Sequence, residues 1–267
     1  MNMYLHELKS MRRSTLIWIC AMIALAAIYF SVYRGIVSDA AGFKRLLGGY
    51  PEPVRAALGI SVDSITSLLG FYSMIFSFIT LCAAIQAMNL GTSVLSKEVR
   101  ERTADFLLVK PVSRSAVVSA KLLAAFTMIM ATDVIYYLAV SLMASMVKTS
   151  DYSGRIFFLI NLTLFFIQLI FLAIGVAVSV FFAKLKSVIP VSLGVVFGLY
   201  MIGAIIAAGK DNAAARFISP FKYFDMTYII KHTGYEPSYL IAGAGIVIAA
   251  IAISYIIYVK KDIHAVN

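Results

Sequence analysis

The chain has 267 residues, of which 61% are hydrophobic and only 13% charged, about half the charged share of soluble domains. With a mean hydropathy of +0.91, that composition excludes a sizeable water-soluble domain and places the chain in a membrane. The net charge of +10 comes from cations scattered along loops beside apolar runs; anionic lipid headgroups explain them, whereas nucleic acid would need clustered Lys and Arg on phosphates.

A helix crossing a bilayer core takes about 20 apolar residues, and six stretches satisfy this: 14–33, 66–95, 119–147, 156–182, 188–208 and 239–259. Barrel strands would alternate in polarity over about ten residues. Runs such as FFLINLTLFFIQLIFLAIGVAVSVFF are apolar on every side. The expected fold is an all-α polytopic membrane protein with six transmembrane helices, forming a single domain over 1–267.

The first stretch follows Lys9, Arg12 and Arg13 and is flanked by Trp18 on one side and Tyr29, Phe30 and Tyr33 on the other. Aromatic residues at both ends read as interfacial anchors of a retained span, rather than a cleaved leader. The segment 34–64 carries Phe43, Leu46 and Leu47, the turn YPEP at Tyr50–Pro53 and an apolar-faced VRAALGI; an interfacial helix broken by prolines fits it. The second span holds Gln86 and Asn89, amides that can hydrogen-bond between helices or line a route. Cys20 and Cys82 lie inside apolar spans with no metal or redox spacing and read as packing residues.

Between the second and third spans lies a charged island, KEVRERTADFLLVKPVSRSAVVSAK, Lys97 to Lys121, with six Lys or Arg and three acids. Val99, Thr103, Phe106, Leu107 and Lys110 recur on one helical face, and Glu98 and Arg102 stand four apart, so they can pair. Pro111 ends this helix. Ser113 then occupies the N-cap position of the next one. The spacing predicts an amphipathic helix over about 97–110, offered to a partner.

The third span contains Asp133, the one acid deep within a predicted span. A charge there costs about 2.5–3.5 kcal/mol on insertion scales. Two readings are open: a proton- or cation-sensitive group lining a route, or a carboxyl hydrogen-bonded to a neighbouring helix. The fourth span holds Asn161 and Gln168, and the fifth Gly194 and Gly198, spaced for close helix approach. Before the sixth span comes FISPFKYFD, Phe217 to Asp225, where Pro220 breaks any helix and the aromatic residues suggest a dip into the headgroup layer.

Lys and Arg near span ends set orientation. With the N-terminus inside, 13 cations fall on inner segments and 10 on much longer outer ones; density therefore favours both termini in the cytoplasm. His6, His232 and His264 lie far apart and make no metal site, and no GxxxxGK[ST] loop is present. Neither a catalytic residue nor a bound cofactor is expected.

The island's Glu98, Thr103, Leu107, Leu108, Pro111, Val112, Ser113, Arg114 and Lys121 follow a pattern that resembles permease subunits of ABC-2 type exporters. The six-span layout and SPFKYFD, Ser219 to Asp225, are also similar, so the resemblance covers essentially the whole chain. One departure is Arg102, where the family commonly has Gly before the Thr. The resemblance implies that the segment between the second and third spans is a coupling helix docking in a groove of a separate ATP-binding subunit, which would carry ATP and Mg. It implies ATPase-coupling roles for Glu98, Arg102, Thr103, Phe106, Leu107, Leu108, Pro111 and Arg114. It further implies a plasma-membrane exporter subunit that is no enzyme itself and that forms its route with a second permease copy, identical or related. Asp133, Gln86 and Asn89 are the candidate route or interhelical polar residues. The alternatives are an ion-coupled secondary transporter using Asp133, and a non-transporting scaffold or sensor subunit.

Overall fold

The computed structural model describes residues 3–57, 62, 64–100, 113–182, 187–209 and 213–260. Among them the secondary structure is helical: α1 (Met3–Ser38), α2 (Ala40–Gly48), α3 (Glu52–Ala57), α4 (Leu68–Arg100), α5 (Arg114–Val147), α6 (Gly154–Phe181), α7 (Val188–Ala208), α8 (Ala213–Arg216), α9 (Met226–His232) and α10 (Pro237–Lys260), with a 3-10 turn at Pro220–Lys222. Helices α1, α4, α5, α6, α7 and α10 are each long and apolar enough to cross a membrane. Rising about 1.5 Å per residue, α1 with its 36 residues extends well beyond the apolar stretch at 14–33.

Caps explain where several helices begin. Ser113, extended at φ −65° and ψ 144°, accepts from the Ala116 N–H and starts α5, at the predicted N-cap. Ser153 does the same for α6 through the Ile156 N–H, and Asp225 for α9 through Tyr228. The segment after α1 forms the expected short helices, α2 and α3, separated at Pro51. Thr233, at φ 52°, closes α9 in the left-handed region.

Two closely packed pairs organise the bundle, α4 against α6 and α1 against α5. In the first pair, Gly91 and Gly175 let the backbones meet. A Cβ on Gly175 would stand 2.7 Å from the Met88 carbonyl oxygen, and one on Gly91 would strike Leu172 O. By contrast, no described residue lies within 4 Å of a Cβ at Gly194 or Gly198, so the expected close approach there is not made among the described residues. The contact-forming glycines come from two different helices, which a spacing rule within one helix does not reveal.

The apolar windows of α4 and α6 are 72% and 61% buried, whereas those of α7 and α10 are 17% and 11%. A helix apolar all round belongs in a core or in lipid. Helices α4 and α6 take the first place; α7 and α10 present their apolar surfaces outward. Within FISPFKYFD, Tyr223 and Phe224 are buried, Phe224 stacks on Phe166, and Phe221 packs on Phe171 and Tyr200, whereas Phe217 and Ile218 stay exposed. The rings of 221–224 thus hold the segment against α6 and α7.

Candidate functional site: the N-terminal junction and the polar core

One end of the bundle gathers the start of α1, the end of α4 and the start of α5. There Lys121, 0% exposed, pairs with Glu7 at 3.2 Å and donates to Val94 O at 2.9 Å. Tyr4 OH lies 3.0 Å from Thr127 Oγ1 beside it. A buried ammonium is tolerable only when its protons are taken up by acceptors; here acceptors from α1 and α4 meet the cation from α5. The junction lies immediately before and after the stretch that joins α4 to α5. Glu98 sits in the last turn of α4 and Arg114 opens α5. Arg102, Thr103, Phe106, Leu107, Leu108 and Pro111 lie outside the described residues.

A cleft of about 640 Å³ opens at the same end between α1, α4 and α7, lined by Glu7, Trp18, Asn89, Ser93, Ser187 and Leu193 among others. Asn89 Oδ1 is buried with no hydrogen-bond partner among the described residues, so Asn89 lies apart from the core network that holds Gln86.

That network crosses three helices. The Gln168 amide of α6 lies between Asp133 of α5 and Gln86 of α4. With its nitrogen toward the carboxylate it donates to Asp133 Oδ1 and Oδ2 at 3.1 and 3.2 Å; with its nitrogen the other way it donates to Gln86 Oε1 at 3.2 Å. Gln86 Nε2 reaches Thr132 Oγ1 at 2.9 Å. An amide carries a donor at one end and an acceptor at the other, so the chain Asp133–Gln168–Gln86–Thr132 points its donors toward the carboxylate when both amides turn together, and runs the opposite way only with a proton on Asp133 to donate to Gln168 Oε1. A second network sits closer to the opposite end. Tyr72 OH donates to Asn161 Oδ1 at 2.7 Å and lies 3.2 Å from Tyr136 OH, while Asn161 Nδ2 donates to Phe157 O.

The opposite, loop-rich end is held by Arg216. Its guanidinium forks onto Glu236 at 2.7 and 3.2 Å, donates to Lys222 O at 3.1 and 3.2 Å, and lies 4.2 Å from the Tyr239 ring centroid. Burial acts to lower the Arg216 pKa, but hydrogen bonding and the charge of Glu236 outweigh it and raise it. Burial pushes the Lys222 ammonium down from its ordinary value, against a partial pull upward from Asp225.

Sequence reasoning singled out Asp133 and Gln86 and did not join them. Thr132 and Glu7 were missed: Thr132 hides beside Asp133, and Glu7 gains meaning only when α1 lies along α5. The available signal for Glu7 was an acid in an otherwise basic leader, HELKSMRR.

Six helices long and apolar enough to cross a membrane, with glycine-mediated packing and a buried polar junction beside the connection of the second and third spans, define a multi-pass membrane protein. A family model described as ABC-2 family transporter protein matches residues 1–263, and the chain belongs to that family. No curated protein matches the sequence.

Proposed function

We propose that the chain is the membrane-spanning permease subunit of an ABC-2 type exporter, coupled to a separate ATP-binding subunit through the segment about 97–110. A second permease copy, identical or related, completes the route. Both termini and the coupling segment face the cytoplasm, the membrane is the plasma membrane, and ATP and Mg bind the partner. The density of Lys and Arg on the segments carrying the termini supports this orientation.

The observation that carries the reading is the Lys121 junction. Lys121 of α5 binds Val94 O of α4 and Glu7 of α1, so both helices leaving the coupling segment, and α1 with them, are tied at their bases. ATP-driven closure of the partner would act on that segment and move the tied helices as one body. The exposed apolar faces of α7 and α10 leave surface for a second copy as well as for lipid.

Co-purification tests the reading. Tagged wild-type chain should retain its cognate ATP-binding subunit in mild detergent, and Phe106→Asp with Leu107→Asp should lose it while the permease stays folded. Undiminished retention by the double variant would overturn the coupling assignment.

A further inference from the structure

At the loop-rich end a cavity of about 380 Å³ opens between α4, α7 and the segment 220–227, within the range of small-molecule sites, roughly 300–1,000 Å³. Its polar wall is Ser73, Ser77 and Thr80 on α4, with Tyr200 of α7 and with Lys222 and Asp225 across from them. Its apolar lining includes Ile206, Phe221 and Met226.

The three hydroxyls direct their protons at backbone carbonyls of their own helix: Ser73 to Leu69 O at 2.7 Å, Ser77 to Met74 O at 2.9 Å, and Thr80 to Ser77 O at 2.8 Å. Each hydroxyl has one proton and two lone pairs, so Ser73 and Thr80 offer the cavity acceptors, while Ser77 also meets the Tyr200 hydroxyl within hydrogen-bonding reach. Asp225 gives Oδ1 to the Tyr228 N–H and keeps its other oxygen. Lys222 is held by its carbonyl, which Arg216 grips, while its ammonium makes no hydrogen bond or ion pair among the described residues. Arg216 also lines the cavity, but its charge is matched by Glu236. Among the described residues the cavity therefore sets the Lys222 ammonium beside the Asp225 carboxylate, which acts on its charge without bonding it, together with hydroxyl oxygens of α4 over an apolar floor.

We propose that this cavity binds a zwitterionic lipid headgroup, its phosphate on the Lys222 ammonium and its own ammonium on Asp225 and the hydroxyl oxygens of α4. An anion at Lys222 supplies the compensation that burial there lacks, since burial depresses its pKa. The lipid's first acyl carbons lie along Ile206 and Met226. An anionic lipid would set its charge beside the Asp225 carboxylate with no cation to offer it, and a cationic amphiphile would meet Lys222. The site assigns a function to SPFKYFD, whose Lys222 and Asp225 face the cavity while its aromatic residues anchor the segment.

Binding of an acyl-labelled lysophosphatidylethanolamine to the purified full-length chain in maltoside detergent tests this without the ATP-binding subunit, so its failure and that of the exporter reading are separable. Binding should saturate, weaken about tenfold in Lys222→Met, persist within threefold in Lys222→Arg, and weaken severalfold in Asp225→Asn, which retains the cap on α9. Lysophosphatidylglycerol should compete less well. Glycerophosphoethanolamine without its chain should compete at least tenfold less well; equal competition would assign the site to a soluble zwitterion and overturn the lipid proposal. Non-saturable binding, or equal binding by a folded Lys222→Met, would also overturn it. A headgroup diazirine on the wild-type protein decides the location even if Lys222→Met does not fold: cross-links at 73–80, 200 or 220–227 support the site, and cross-links confined elsewhere refute it.

Discussion

Lys121 and Glu7 form a 3.2 Å ion pair from which water is almost wholly excluded, and the same ammonium reaches Val94 O. Removing one member of a buried pair costs about 3–5 kcal/mol. Lys121→Met, which takes this cation from the buried Glu7 carboxylate, should therefore lower stability by about 3 kcal/mol. Thermal unfolding in detergent checks this; a loss below about 0.5 kcal/mol, the ordinary surface value, would show that the pair is not a structural tie.

The glycine contacts separate sharply. Gly175→Ala sets a methyl group 2.7 Å from the Met88 carbonyl oxygen, and overpacking of this kind costs about 1–3 kcal/mol. Gly194→Ala and Gly198→Ala meet no described residue within 4 Å and, since Ala is better than Gly inside a helix by about 0.5–1 kcal/mol, should keep or raise the unfolding temperature of the isolated chain. Equal effects at all three positions would contradict the α4–α6 approach.

Among the described residues Gln168 is the hydrogen-bond partner of Asp133. Gln168→Leu leaves a buried polar group unmatched, at a cost of about 1–3 kcal/mol, whereas removing both polar groups is far less costly. Adding Asp133→Leu to Gln168→Leu should thus recover stability. Asp133→Asn keeps a hydrogen-bonding group and should retain ATP-driven export in reconstituted vesicles. Loss of transport by a folded Asp133→Asn protein would instead favour the ion-coupled alternative.

Tyr235 donates to Leu159 O at 2.6 Å, and burial pushes its phenol from 10.0 up to about 12, with a smaller opposing contribution from Thr163. Between those values the unfolded phenol releases its proton while the folded one keeps it. The folded state then binds more protons, so stability falls as pH rises through this window. Tyr235→Phe should lose about 1 kcal/mol at neutral pH and show a shallower alkaline decline in a urea titration. An unchanged decline would remove Tyr235 as a contributor.

The helical class and the spans were legible because lipid permits few solutions to backbone hydrogen bonding, and six apolar stretches mark the membrane-crossing helices directly. Ser113 was legible as a cap because capping is local. Partners across the bundle were not. The Gly91–Gly175 approach, the Glu7–Lys121 pair and the Asp133–Gln168 contact each join residues from different helices, and periodicity within one helix carries no information about its neighbour's register. FISPFKYFD was legible only in part for a related reason: aromatic residues suit headgroups and a helix-packed corner equally well, and the contacts of Phe221 and Phe224 with rings of α6 cannot be read from the segment itself.

The Gly91–Gly175 weld gives the molecule an uneven stiffness. Where two backbones touch, neither helix can bend or slide without a carbonyl colliding, so α4 and α6 respond to load as a single strut. The amides of Gln86 and Gln168, by contrast, adjoin α5 through groups that turn about single bonds. The stiffest contact of the bundle is thus the one between α4 and α6, while α5 meets that pair through side chains, Thr132 against Gln86 and Asp133 against Gln168.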